Sequence, residues 1–184
     1  MAKLSVFLFI SLDGYYKDIH DGFSWHRHGG EESEFSAKSS QQEHILLFGR
    51  ITYDVMASFW PTPMAIEQMP DVANGMNRSE KIVFSKTINS SDWNNTRFFN
   101  GNLVEEVKKL KQGKLDITVL GSGTILTQLA DAGLIDTYQF MIDPVALGSG
   151  TAIFSGLKQK LDLELTDSNI FKSGIILATY KLMV

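Results

Sequence analysis

The segment that most restricts the fold is Asp116-Ile-Thr-Val-Leu-Gly121-Ser122-Gly123-Thr124-Ile125-Leu126, which continues in helical pattern to Gly133. A short β-branched run meets a glycine-serine-glycine joint and passes straight into a helix. A parallel-sheet strand hands its chain to a crossover helix in this way, and it leaves free N–H groups at the helix start. Those donors, with the helix dipole behind them, form an anion site suited to phosphate. The joint lacks the dinucleotide fingerprint of the Rossmann fold, because its third glycine position is Leu126 and no acidic residue closes a second strand at the expected distance.

The rest of the chain supports an α/β reading. At 184 residues, 43% hydrophobic and 21% charged, it reads as one domain with a substantial core. Val6–Ser11 and His44–Phe48 are apolar runs of the kind covered on both sheet faces. Further strands are expected at Lys81–Phe84, Arg97–Phe99, Asp136–Asp143, Leu161–Leu165 and Gly174–Val184. Helices are expected at Glu31–Gln42, from Arg50 to the Trp60-Pro61-Thr62-Pro63 stop, and at Leu103–Lys111. Pro63 to Arg78 reads as a short helix or loop, and residues 17–30 as a long loop. Strands alternate with helices early and follow one another late, which predicts a mostly parallel sheet with antiparallel strands at its C-terminal edge.

Composition narrows the function classes. A net charge of −4 argues against nucleic acid and anionic membranes as partners. The basic cluster Lys108, Lys109, Lys111 and Lys114 follows Glu105 and Glu106, as in an acid-first helix that complements its dipole. With no cysteine, disulfides and thiolate chemistry are excluded, and the composition fits a cytoplasmic protein. The apolar start is too short to span a bilayer and is read as a buried strand, not a signal peptide. Gly-x-Ser-x-Gly, Walker and HExxH patterns are absent, so hydrolase and kinase readings lack their chemistry.

Several residues are candidates for the site, each beside a structural alternative. Gly49-Arg50-Ile51-Thr52 repeats the strand–joint–helix pattern and adds a guanidinium and a hydroxyl for phosphate. A plain turn with a solvated arginine accounts for the same residues. Ser85-Lys86-Thr87 follows another strand, at the carboxyl end where α/β sheets bind ligands, or is simply a polar turn. Asp13-Gly14-Tyr15 could set a carboxylate and a ring against a ligand, or be an Asp-Gly turn. Trp25, Tyr53 and Trp60 are candidate pocket walls or core. Asp13 and Glu34 are the candidate catalytic carboxylates. Glu34 is chosen from Glu31, Glu32 and Glu34, whose acidity also favours a helix start. His26, Arg27 and His28, with Asp18, His20 and Asp21 upstream, lack zinc-type spacing, so no metal is expected.

Taken in order, Ser11-Leu12-Asp13-Gly14, Leu47–Tyr53 with Phe59-Trp60-Pro61, Lys81–Thr87, Val119–Thr124 and Asp143–Gly150 resemble the dihydrofolate-reductase-like family. Within it they resemble the branch around the C-terminal reductase domain of the riboflavin-biosynthesis deaminase-reductase, over Leu4 to Lys181. The resemblance implies a three-layer α/β/α fold that binds NADPH across the strand ends. It implies that Gly49, Arg50 and Thr52 hold cofactor phosphates and that Ser85, Lys86 and Thr87 lie by the adenosine ribose and its 2′-phosphate. By the same resemblance, Gly121, Ser122, Gly123, Thr124, Ile125 and Leu126 cradle the pyrophosphate. Asp13 and Gly14 approach the nicotinamide and substrate, with Gly148 and Ser149 in the loop that closes the pocket.

The implied activity is reduction of a heterocyclic, Schiff-base or carbonyl carbon in a pterin-like or aminopyrimidine-ribose-phosphate-like molecule. Reduction of 5-amino-6-(5-phosphoribosylamino)uracil is one form of it. Dihydrofolate reductases carry a pterin-contacting acid on the first helix, which here has three candidates, and the zinc-binding deaminase half has no counterpart. The alternatives are a nucleotide-binding protein of the same fold without turnover, or an interaction protein whose glycine joints only pack. Ile175-Ile176-Leu177 and Leu182-Met183-Val184 are apolar enough for a homodimer contact or for the core.

Overall fold

In the computed structural model, which describes residues 1–27 and 29–183, the first apolar run forms β1 (Leu4–Ser11) at the heart of an eight-stranded sheet. A three-residue strand β2 (Tyr15–Lys17) follows the Asp13-Gly14 turn. Next come α1 (Gly30–Ser40), β3 (His44–Gly49), α2 (Arg50–Phe59), α3 (Pro63–Gln68), α4 (Pro70–Arg78), β4 (Glu80–Phe84) and β5 (Thr96–Phe99). The chain continues through α5 (Leu103–Leu110), β6 (Asp116–Leu120), α6 (Gly123–Asp131), β7 (Thr137–Asp143), β8 (Thr151–Ala152), β9 (Leu163–Ile170) and β10 (Ile176–Leu182).

The sheet order is β5-β4-β3-β6-β1-β7-β10-β9. Every pairing from β5 to β7 is parallel, and β10 runs antiparallel to both β7 and β9. The expected mostly parallel sheet with an antiparallel C-terminal edge is therefore the observed one. β2 and β8 make a separate two-stranded ribbon that the sequence reading did not include among its strands.

Helices cover both faces, giving three layers. On one face Val6, Leu8, Ile45, Leu47, Ile82 and Val119 pack against Leu103 and Val107 of α5 and Ile125, Leu126 and Leu129 of α6. On the other, Leu46, Phe48 and Val83 meet Tyr53 of α2, Val72 and Met76 of α4, and Trp93. Farther along that face Phe7, Phe9 and Met141 meet Phe35 of α1, with Phe171, Ile175 and Leu177. Fully burying each such side chain is worth about 1.5–3 kcal/mol, so the two faces carry the fold.

Local signals account for the helix limits. Asn102 caps α5 by accepting from the Val104 and Glu105 N–H groups (3.0 and 3.2 Å), and Lys108 pairs with Glu105. Pro63 and Pro70 each open a helix, so the segment read as one helix or loop is two helices. Lys81 at β4 is fully buried, and its ammonium donates to the Met76, Asn77 and Ser79 carbonyls that end α4. Of the apolar terminal residues, Ile175 and Leu177 are core, Leu182 and Met183 are exposed, and Val184 lies outside the described residues. Among the described residues no helix is long and apolar enough to cross a membrane.

Candidate functional site

Because β5, β4, β3 and β6 are parallel, their carboxyl ends share one edge of the sheet. The register sets Gly49, Phe84 and Phe99 level with one another. A groove of about 520 Å³ opens there, a volume within the range of ligand sites. Its walls include Gly49, Arg50 and Thr52 from the β3–α2 joint, and Ser85 and Lys86 after β4. Ser122, Thr124 and Ile125 come from the β6–α6 joint. Residues 33 to 76 positions apart in sequence (Thr52 to Ser85, Gly49 to Ile125) are thereby brought onto one surface.

The two glycine joints interlock. A β-carbon on Gly49 would stand 2.4 Å from the Ser122 hydroxyl, and one on Gly121 would stand 2.8 Å from the Thr52 methyl. Gly121 also has φ +62°, and Ser122, at φ 52°, shares the left-handed region that non-glycine residues rarely occupy. The strained serine starts α6 with no side-chain cap, and it is 7% exposed toward the groove. Gly121 and Gly123 thus serve close packing, Leu126 is fully buried core, and Thr87 lies off the groove. The Thr87 N–H donates to Ser85 Oγ (3.1 Å) and so shapes the turn that presents Lys86.

Three cations line the groove: Lys17, Arg50 and Lys86. Arg50 pairs with Asp54 one turn along α2 (2.8 Å), with both side chains nearly half exposed. Lys17 lies 3.5 Å from Asp21, and Lys86 has no ion pair among the described residues. Sequence reasoning missed Tyr16, Lys17, Asn102 and Gln128 as wall residues. Tyr16 and Lys17 directly follow the Asp13-Gly14 turn, which was the signal available for them.

The carboxylates behave differently from the sequence expectation. Asp13 accepts from the Ser11 hydroxyl (2.6 Å) and from the Leu147 and Gly148 N–H groups (3.1 and 2.7 Å). These bonds, the serine's first, hold its pKa down to about 2. Bonded in this way, Asp13 clamps the 144–150 loop. Gly14 takes φ +84° in the turn, Tyr15 pairs with Ala152 in the ribbon, and Ser149 is exposed. Glu34 points to solvent, whereas Glu32 is buried and accepts from the Ser173 hydroxyl, and Glu31 pairs with Lys172 (2.9 Å). The helix acids therefore tie α1 to the turn before β10.

Of the aromatic candidates, Tyr53 is 2% exposed in the core between Phe48 and Trp93, not on a pocket wall. Trp60 packs on the same cluster, with its indole N–H on Met56 sulfur (3.1 Å). Trp25 has a buried indole N–H with no partner among the described residues. Next to it His26 stacks on Phe9, and its Nδ1 lies 2.7 Å from the fully buried Asp143 carboxylate, which also accepts from the Arg27 N–H (3.0 Å). This buried pair, unseen in the sequence, pins the long loop to the end of β7. Among the described residues no three His, Asp or Glu side chains gather as a metal site, and His28 lies outside them.

Comparison with known proteins agrees with this architecture. The chain is 33% identical over 141 residues to the uncharacterized protein YyaP of Bacillus subtilis (strain 168), covering 76% of this chain and 74% of that one. A putative riboflavin biosynthesis protein from Shewanella sp. PV-4 superposes with TM-score 0.76 at 21% identity over the full length of both chains. Dihydrofolate reductase from Enterococcus faecalis, complexed with NADP(H), superposes with TM-score 0.66 at 14% identity, over 99% of this chain and 97% of that one. Both structures show the fold. The family model of the RibD C-terminal domain matches residues 2–177, and the chain belongs to that family.

Proposed function

We propose that the protein is an NADPH-dependent reductase acting on an aminopyrimidine-ribose-phosphate-like or pterin-like substrate. The observation that carries this reading is the convergence of three separate strand ends on one groove with three cations and a buried, groove-facing Ser122. The donor set fits a phosphate-rich dinucleotide: N–H groups at helix starts, hydroxyls of Thr52, Ser85 and Thr124, and Arg50 for a bidentate phosphate contact. The chemistry such a cofactor supplies is a hydride. The protein's share is to bind, to orient and to exclude water. Asp13 holds the 144–150 loop in place, so the proton is assigned to water or to an acid on the substrate. A homodimer belongs to the same proposal. β9 is the outer edge strand, with Leu165 53% and Ile170 73% exposed, and light scattering at rising concentration tests it.

Binding and turnover are tested separately. At about 100 times Kd, NADPH stabilises a specific site by about 2.7 kcal/mol, which shows as a rise in Tm. Absence of any shift overturns the cofactor reading and favours glycine joints that only pack. A shift with no NADPH oxidation across pterins and aminopyrimidine ribose phosphates favours a binding protein without turnover. The clamped Asp13 and solvent-facing Glu34 are the observations that keep this second reading in view.

A further inference from the structure

Strand β2 carries Tyr16 into the groove and lays its ring on Gly123, the first residue of α6. A β-carbon at Gly123 would stand 2.7 Å from the ring and 2.9 Å from the phenol oxygen, so a glycine is needed for the ring to seat there. The Tyr16 hydroxyl is thereby set against the Gly123 backbone, whose N–H is one of the donors that α6 leaves without an intrahelical partner. Beside it the Ser122 hydroxyl is 93% buried by residue, faces the groove and has no hydrogen-bond partner among the described residues. The phenol thus sits on the donor that a phosphate at this helix start would use.

The segment holding Tyr16 has little strand pairing of its own. β2 is three residues long and pairs only with the two-residue β8, with a register irregularity between Tyr15 and Lys17. A two-stranded ribbon of this size is marginal by itself. The turn after it is self-contained, since Asp18 Oδ1 accepts from the His20 and Gly22 N–H groups (2.7 and 2.9 Å). Those turn bonds are separate from the ladder between β2 and β8.

We propose that Tyr16 is a latch on the α6 anion seat, holding the Gly123 N–H until a phosphate-bearing ligand displaces the phenol and shifts β2. The inference rests on the dinucleotide reading of the groove. The exchange favours an anion, because a charge-assisted bond is about twice as strong as a neutral one and the helix dipole adds to it. An uncharged ligand gains neither term and leaves the latch shut.

The test is Tyr16→Phe, which keeps the ring and removes the hydroxyl. Calorimetry with NADPH and, separately, inorganic pyrophosphate is expected to show binding tighter by about 2- to 10-fold, since a competing hydrogen bond is gone. Hydrogen exchange at the Gly123 amide is expected to quicken in the ligand-free variant. Unchanged binding overturns the latch, and weaker binding overturns it by making the hydroxyl a ligand contact. If the wild type binds neither probe, the dinucleotide reading falls. If the Gly123 amide ignores Tyr16→Phe, the latch falls whatever binds.

Discussion

Gly75→Ala sets two known effects against each other, and the structure decides between them. Gly75 lies inside α4, where alanine is intrinsically preferred by about 1 kcal/mol. On propensity alone the substitution stabilises the protein. The new β-carbon, however, would lie 2.3 Å from the Ser40 carbonyl oxygen, 2.7 Å from Ser40 Cβ and 2.8 Å from Ser40 C. Ordinary contact begins at 3.4 Å, so α1 and α4 must part by roughly 1 Å. Their junction is also tied by the Ser40 hydroxyl, which donates to the Ala37 carbonyl (2.8 Å) and approaches the Asp71 carbonyl (3.3 Å). Two of the three close atoms are backbone, so no rotamer change relieves them. Overpacking of this kind costs about 1–3 kcal/mol, and weakening the inter-helix hydrogen bond adds about 1 kcal/mol. Set against the propensity gain, the net expectation is a loss of about 2 kcal/mol, or roughly 4–8 °C in Tm for a chain of this size. Urea denaturation measures it as a lower midpoint with an unchanged slope. NADPH affinity stays as it was, because Gly75 is no part of the groove. A neutral or stabilised Gly75→Ala protein would refute the argument that this helix crossing requires glycine.

Three further outcomes are expected. Asp13 has a folded pKa of about 2 against an ordinary 3.8, so its stabilisation is present above about pH 4 and lost as pH falls through about 2. Asp13→Asn should flatten stability against pH across that window in acid denaturation, and an unaltered curve would remove the clamp. Burial pushes Lys81 down to about 8 from 10.5, so between those values the unfolded chain binds more protons and this site's contribution to stability rises with pH. Lys81→Met should abolish that rise and lower stability near neutrality by about 1–3 kcal/mol, read by urea titration, because three carbonyls lose their donor. Arg50→Ala should reduce the NADPH-over-NADH preference in parallel Kd measurements, and an unchanged preference would leave that selection to another groove cation, such as Lys17 or Lys86.

How much of this was legible in the sequence depends on how local the deciding contacts are. The His44–Phe48 run declared a strand covered on both faces because periodicity is a property of neighbours, and the order of strands and helices declared the sheet's direction. β2 and β8 were invisible because three and two residues carry no period. Pro63 read as part of a helix stop because a proline that opens a helix and one that ends it look alike until the cap is seen. Lys81 read only as the first residue of a strand, and its burial follows from where α4 ends.

The glycines of the two joints show why site residues resist such reading more than elements do. The same sequence pattern serves phosphate binding, which needs bare N–H groups, and close packing, which needs no β-carbon. Gly49 and Gly121 satisfy the second demand directly, each against the other joint's hydroxyl residue. That packing is also what brings Thr52 and Ser122 to one surface, so the two demands are linked. A joint that could not pack this closely would hold its donors apart, and no single phosphate-rich ligand could reach both. Gly123 alone is spoken for differently, by the ring of Tyr16, and no local pattern around Gly123 announces a tyrosine more than a hundred residues earlier. The helix start is therefore a phosphate seat only in a protein that can also move its own phenol out of the way.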